Sequence, residues 1–165
     1  MFRNMRRADQ ILSKEETERI LASCSSGVLG VNGDNGYPYT VPLNYVYSDG
    51  KIYFHCALDG HKIDSIKNDD KVSFCVIEKD TIVPSVFSAA FVSVIAFGRS
   101  RIIDDVDEKR VAIYAITEKF ASAYMDRAKV DIEKIMGALG IVEITIEHVT
   151  GKSARQGVMI HDKHE

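Results

Sequence analysis

The sequence predicts a mainly β protein: an antiparallel sheet curled into a small barrel, with flanking helices on its outside. Three observations lead there. Short apolar segments are joined by hairpin-type turn signals, Asn32-Gly33-Asp34-Asn35-Gly36 and Ser48-Asp49-Gly50. Near the C-terminus the pattern alternates, with Val142, Ile144 and Ile146 on one side and Glu143, Thr145 and Glu147 on the other. The strands are joined largely by hairpins, with helices inserted, which is not a βαβ pattern. Closing such a sheet would also remove exposed edges, which invite aggregation.

Each element has a local cause. Ser13-Lys14-Glu15-Glu16 is a capping box that opens a helix, Ile20 and Leu21 give it an apolar side, and Ser25-Ser26-Gly27 stops it. Strands follow over residues 28–31, 39–47 and 51–57, separated by the two turns. A short helix is expected over about residues 61–67, then a strand over 71–77. Residues 81–90 read as a loop and 91–103 as a long strand. Asp105-Val106-Asp107-Glu108 caps the longest helix, whose Ile113, Ile116 and Phe120 fall on one face. Residues 140–149 form the last strand.

Composition bounds the function. The 165 residues fit one domain, with a core over about residues 6–155 and a polar tail over 156–165. Apolar residues make up 45% and charged residues 27%, the balance of a folded protein. A net charge of -3 argues against a general nucleic-acid binder. No apolar run reaches the ~18 residues of a membrane helix. The basic start, Met1 to Arg7, has no apolar stretch behind it, which argues against a secretory signal. Cys24, Cys56 and Cys75 are odd in number and lack C-x-x-C spacing, which fits a reducing cytoplasm. A chain of this size buries about two-thirds of its surface and needs no disulfide or metal to fold.

The densest candidate stretch is Tyr53-Phe54-His55-Cys56-Ala57-Leu58-Asp59-Gly60-His61-Lys62. Here a strand ends, the chain turns at Gly60, and a helix begins with two basic residues. Unpaired N–H groups and the positive macrodipole end disfavour cations there unless an anion sits beside them. A Gly-His-Lys helix start therefore points to a bound phosphate, with a solvated turn as the simpler alternative. Upstream, Pro38-Tyr39-Thr40-Val41-Pro42-Leu43-Asn44-Tyr45 is an apolar strand with two prolines. Proline donates nothing to a ladder, so Pro42 implies an edge, a bulge, or backbone facing a flat ring that bonds to the main chain. His55 and Cys56 point to opposite strand faces and no further Cys/His cluster completes a zinc set, so no metal site is expected. No G-x-S-x-G, P-loop or G-x-G-x-x-G pattern is present. Arg99 and Arg101 share a strand face, as two surface arginines or as contacts to a phosphate across a subunit boundary.

Together, the run from Pro38 through Lys62, Phe91-Val92-Ser93-Val94-Ile95-Ala96-Phe97-Gly98-Arg99, and Glu147-His148-Val149-Thr150-Gly151-Lys152 resemble the flavin-binding split-barrel superfamily of the pyridoxamine 5′-phosphate oxidases. Within it the chain is most similar to the nitroimidazole-resistance (Nim) type. The resemblance implies a homodimer of six-stranded antiparallel split barrels, with one FMN in each of two clefts between subunits. It places the backbone of Val41, Pro42, Leu43 and Asn44 along the isoalloxazine ring. Phe54, His55, Cys56 and Ala57 line the ribityl chain or ring edge, and His61 with Lys62 hold the phosphate. Ser93 is supplied by the partner subunit. His61 stands where many relatives have arginine, and is the weaker phosphate partner.

The resemblance implies an FMN-dependent oxidoreductase, with FAD as the alternative flavin and a reduced nicotinamide as electron donor. Its substrate is a small electron-poor compound such as a nitroimidazole, and His55 is the candidate proton donor or substrate-orienting group. Vitamin B6 oxidases carry a C-terminal tryptophan and a basic R-x-H-x-R segment. This chain has Trp 0 and offers only Lys152 and Arg155 after His148, so pyridoxamine phosphate is not the expected substrate. Three rivals stand beside this one: a flavin-binding store or redox sensor without turnover, a haem-binding split barrel using His55 or His148, and a deazaflavin-binding barrel.

Overall fold

A computed structural model describes residues 1–154; the predicted tail and Arg155 lie outside them. Ser13 accepts from the Glu16 N–H at 3.1 Å and opens α1, Lys14–Ser23, as the capping box requires. There follow β1, Ser26–Asn32; β2, Pro38–Asn44; β3, Val46–Ser48; and β4, Lys51–Cys56. Next come α2, His61–Asn68; β5, Lys71–Val83; and β6, Ser88–Ile102. The helices α3, Val106–Ala121, and α4, Met125–Ile135, precede β7, Gly140–Ser153. None of these helices is long and apolar enough to cross a membrane.

All strand pairs are antiparallel, in the order β2-β1-β5-β6-β7-β4-β3. One core gathers Leu29 and Val31 of β1, Phe74 and Val76 of β5, Val92 and Val94 of β6, Val142 and Ile144 of β7, and Ile52 and Phe54 of β4. Strands from both ends of that order meet in the same cluster, so the sheet is curled as expected. Ile20 and Leu21 of α1 and Ile63 and Ile66 of α2 complete it. The curl is not closed by hydrogen bonds, because β2 and β3 remain edges. The expected single strand over 39–47 breaks at Tyr45, which gives seven strands where six were expected. Its fully buried phenol donates to the Leu21 carbonyl at 2.7 Å, and its ring meets Phe74 edge-on at 4.9 Å.

Other departures have equally local causes. Residues 81–90 are not a loop: β5 and β6 continue pairing to Val83↔Ser88 beyond a bulge at Glu78. Ile82 and Phe87 on this arm are exposed, so no burial pattern marked it as strand. On α3, Ile113 and Ile116 are buried against Ile132 and Ile141 in a second core on the outer sheet face. Phe120 is not; Lys119 turns inward in its place and donates to the Cys24 carbonyl at 2.6 Å. α4 adds a helix that the sequence had not separated from its neighbour.

The alternation of β7 holds through Ile146 and then shifts phase. Phe97 pairs with His148 but Gly98 with Ile146, leaving Glu147 as a bulge. A Cβ on Gly98 would lie 2.2 Å from the Thr145 carbonyl oxygen, so only glycine fits the crossing. Beyond the bulge Val149 packs toward the core, while His148, Thr150 and Lys152 face outward.

Glu143, expected on an exposed face, is only 3% exposed. Arg101 holds it through two hydrogen bonds of 2.9 and 3.1 Å, and Lys51 through one of 3.1 Å. Burial pushes its carboxyl up, but these cations overcome that and hold it at about 2, against an ordinary 4.5. A depressed acid stabilises the fold fully above its unfolded value and loses that contribution as pH falls. Between pH 4.5 and about 2 this group should therefore cost about 3 kcal/mol. Urea midpoints measured across that window should fall further in the wild type than in Glu143→Gln; equal losses would discount the network.

Candidate functional site

The functional stretch begins where β4 ends. Cys56 pairs with Gly140 of β7, Ala57 to Asp59 leave the sheet, and Gly60 turns the chain at φ 113°, a left-handed value that favours glycine. The Gly60 carbonyl accepts from the N–H groups of Ile63 and Asp64 at 2.8 and 3.1 Å. The N–H groups of His61 and Lys62, at the start of α2, have no such helical partner. Ile63 and Ile66, both buried, fix this helix to the core.

Two contacts pin its first turn beside β2. The His61 ring stacks on Tyr39 at 4.1 Å with 17° between planes, and His61 Nε2 lies 3.5 Å from Asp34 Oδ2 in the β1–β2 turn. Lys62 is half-buried. Burial pushes the Cys56 thiol pKa up, and the nearby Lys62 ammonium partly offsets that rise. The start of α2, four residues after the end of β4, thus lies against the start of β2.

β2 pairs only with β1, so its second edge carries main-chain groups without a ladder partner. Pro42 sits on that edge strand, as its missing donor requires. Val41 and Leu43 turn inward against the core; Pro42 and Asn44 face outward, and Asn44 Nδ2 donates to the Ser25 carbonyl at 2.9 Å. Across the split, the β3–β4 ladder ends at Tyr53. The β3-side main chain of Phe54, His55 and Cys56 is therefore also without a strand partner. The structure thus has two main-chain edges without a strand partner, and the N-terminus of α2 is held against the first of them, β2, through Tyr39.

Not every expected residue joins them. The Phe54 side chain is fully buried in the core, so it lines no ligand; only its main chain reaches the split. His55 and Ala57 are exposed at the end of β4. Ser93, expected to be supplied by the partner subunit, lies on the outer face of β6 between Ile77 and Lys152. There it lines a cavity of about 270 Å³ with Ile95, Phe97, His148 and Thr150. Arg99 and Arg101 are both committed to carboxylates, Arg99 to Asp70 and Glu147 and Arg101 to Glu143 and Glu108, which favours structural arginines over phosphate contacts. Tyr39 and Asp34, which position His61, were missed; an aromatic two residues before Val41 was the available signal. No group of three or more potential metal ligands occurs among the described residues.

This geometry can be set beside known proteins. The sequence profile of the pyridoxamine 5′-phosphate oxidases matches residues 13–153. The chain belongs to the pyridoxamine 5′-phosphate oxidase family. Solved structures agree on its split-barrel fold. A conserved hypothetical protein of Mycobacterium tuberculosis is 21% identical, superposes with a TM-score of 0.79, and is matched over 93% of each chain. A candidate 5-nitroimidazole antibiotic resistance protein of Bacteroides thetaiotaomicron is 23% identical over 87% of this chain and 86% of that one, with a TM-score of 0.71. An FAD-binding protein of Mesorhizobium loti is 25% identical over 88% and 97%, with a TM-score of 0.63. No curated protein sequence matches the chain significantly.

Within this family member the His61–Tyr39 stack should hold the first turn of α2. Tyr39→Leu keeps an apolar side chain but removes the ring partner, which is worth about 0.5–1.5 kcal/mol. Amide hydrogen exchange at His61 and Lys62 should accelerate while that at Val92 and Val94 stays slow. Unchanged exchange at the helix start would discount the stack.

Proposed function

We propose that the chain is a flavin-dependent oxidoreductase that binds FMN in the split. The observation that carries this is the N-terminus of α2, with His61 and Lys62, pinned by the His61–Tyr39 stack to the open edge strand β2. Family membership and the likeness to an FAD-binding protein support a flavin. The donor set suits the group: Lys62, His61 and the free N–H groups of α2 would hold the phosphate. The main chain of Val41 to Asn44 and of Phe54 to Cys56 would meet the ring and ribityl chain. Asp34 opposes this in part, since its carboxylate already faces His61 Nε2.

When bound, the flavin supplies the hydride and electron chemistry. The chain's own residues bind and orient. Val41 and Leu43, packed on the core, fix the β2 edge so that its carbonyl and N–H groups present a rigid row. His55, exposed at the end of β4, can donate a ring N–H proton to a reduced substrate and recover it from water. The acceptor we propose is a small electron-poor compound such as a nitroimidazole, in keeping with the Bacteroides protein, and the donor a reduced nicotinamide.

A second copy of the chain completes this account. The outer face around Ser93 leaves Ile77, Ile95 and Phe97 exposed at 60%, 41% and 39%, apolar surface suited to a homodimer. Ser93 would then face the partner's flavin.

The absorbance spectrum of the purified chain tests the cofactor, and flavin bands are expected. Lys62→Ala removes one charge-assisted contact of about 1.5–3 kcal/mol, so FMN affinity should fall about ten- to a hundredfold. A chain that takes up no FMN would contradict the binding. A flavin-loaded chain that oxidises neither reduced nicotinamide with any nitro or quinone acceptor would contradict the reductase and favour a store or sensor.

A further inference from the structure

Beyond Ile77 the β5–β6 hairpin leaves the barrel. β1 pairs with β5 only over Ser73 to Cys75. The β7 ladder on β6 ends at Val92, followed by one bond from the Ala154 N–H to the Phe91 carbonyl at 3.0 Å. From there to Val83↔Ser88 the two strands pair only with each other among the described residues. A two-stranded ribbon alone is marginally stable in water, and its open edges invite another chain.

The bulge at Glu78 decides which way this arm faces. In an unbroken strand Ile82, an odd number of residues after Ile77, would point to the opposite side of the sheet. The bulge, pinned to α1 by Arg19 at 2.7 Å from Glu78, resets the phase: Ile77 stands opposite Ser93 and Ile82 opposite Ala89, two residues of β6 that share a face. An outer face that carries Phe97, Ile95 and Ile77 on the barrel therefore continues onto the arm with Ile82, which is 69% exposed. The arm ends on Phe87, 99% exposed and held at φ 49°, a left-handed value that a bulky residue rarely adopts. The hollow beside it, about 470 Å³, is lined by arm residues alone, Ile82 to Pro84 and Phe87 to Ala89.

We infer that this arm is a clasp whose partner is a second copy of the chain, each copy's arm lying against the other. The inference rests on the homodimer proposed above and names the element that holds it. Ile77, Ile82, Phe87, Ile95 and Phe97 together expose on the order of 500 Å² of apolar surface, against the ~800 Å² that each partner buries in a stable complex. A two-fold dimer uses the same patch on both copies, so one continuous face supplies both sides. The arm over residues 79–91 carries one cation, Lys79, and one anion, Asp80, and so lacks the basic excess that draws apolar loops to anionic membranes.

Sedimentation equilibrium of the full chain tests this. The wild type should be a dimer, and Ile82→Ser combined with Phe87→Ser should raise its dissociation constant at least about a hundredfold. Val111→Ser, which removes an apolar group 72% exposed on α3, should leave it unchanged. Amide exchange over residues 79–83 should accelerate in the double variant while that of Val92 and Val94 stays slow, which separates a released arm from an unfolded barrel. A monomeric wild type, or a double variant as tightly dimeric as the wild type, would overturn the clasp. So would binding of the wild type to phosphatidylglycerol vesicles that the double variant loses, which would give the arm to a membrane. A tight dimer that takes up no FMN would spare the clasp and sink the flavin reading; a monomer that takes up FMN would do the reverse.

Discussion

A buried phenol needs a hydrogen-bond partner, and Tyr45 has one acceptor within reach, the Leu21 carbonyl at the end of α1. That bond, with the Phe74 contact and Lys119 Nζ 4.6 Å above the ring, holds residue 45 in the core. The strand ladder is interrupted at this residue. The chain leaves β2 on one side of it and enters β3 on the other, and the two become opposite edges of one curled sheet. Everything proposed for the split depends on this.

The distribution of charge gives the same picture from another direction. Arg99, Arg101 and Arg110 each face two carboxylates, and Lys51 faces the nearly buried Glu143. These cations neutralise acids that would otherwise oppose the fold, and they are poor candidates for an incoming anion. Cations without such partners mark the places where an anion could be received. Lys62, beside a helix start, is one such place. His61 is intermediate, since Asp34 shares it.

Much of this was legible in the residues themselves. The capping box at Ser13, the hairpin turn at Ser48-Asp49-Gly50 and the alternation from Val142 to Ile146 act over a few residues, and each appears where its local chemistry places it. The start of α2 at His61 was equally legible, because Gly60 and the change of pattern after it mark a turn. What escaped has long-range causes. The break at Tyr45 depends on a carbonyl 24 residues away. The enclosure of Phe54 depends on curling of the sheet, and the outward turn of His148 on a bulge that no side-chain pattern announces. The extended β5–β6 arm is held by its ladder alone, with Ile82 and Phe87 in solvent, so hydropathy had nothing to report. Membership of the family accounts for the split barrel but does not set which side chains reach it.

The central claim is that the N-terminus of α2 receives a phosphate while the open edge of β2 receives a ring. Titrating the full chain with FMN and with riboflavin, which share the ring and differ by the phosphate, separates the two contributions in one experiment. The account predicts that FMN binds at least about tenfold more tightly, as one or more charge-assisted contacts to the phosphate require. Equal affinity for the two flavins would contradict it.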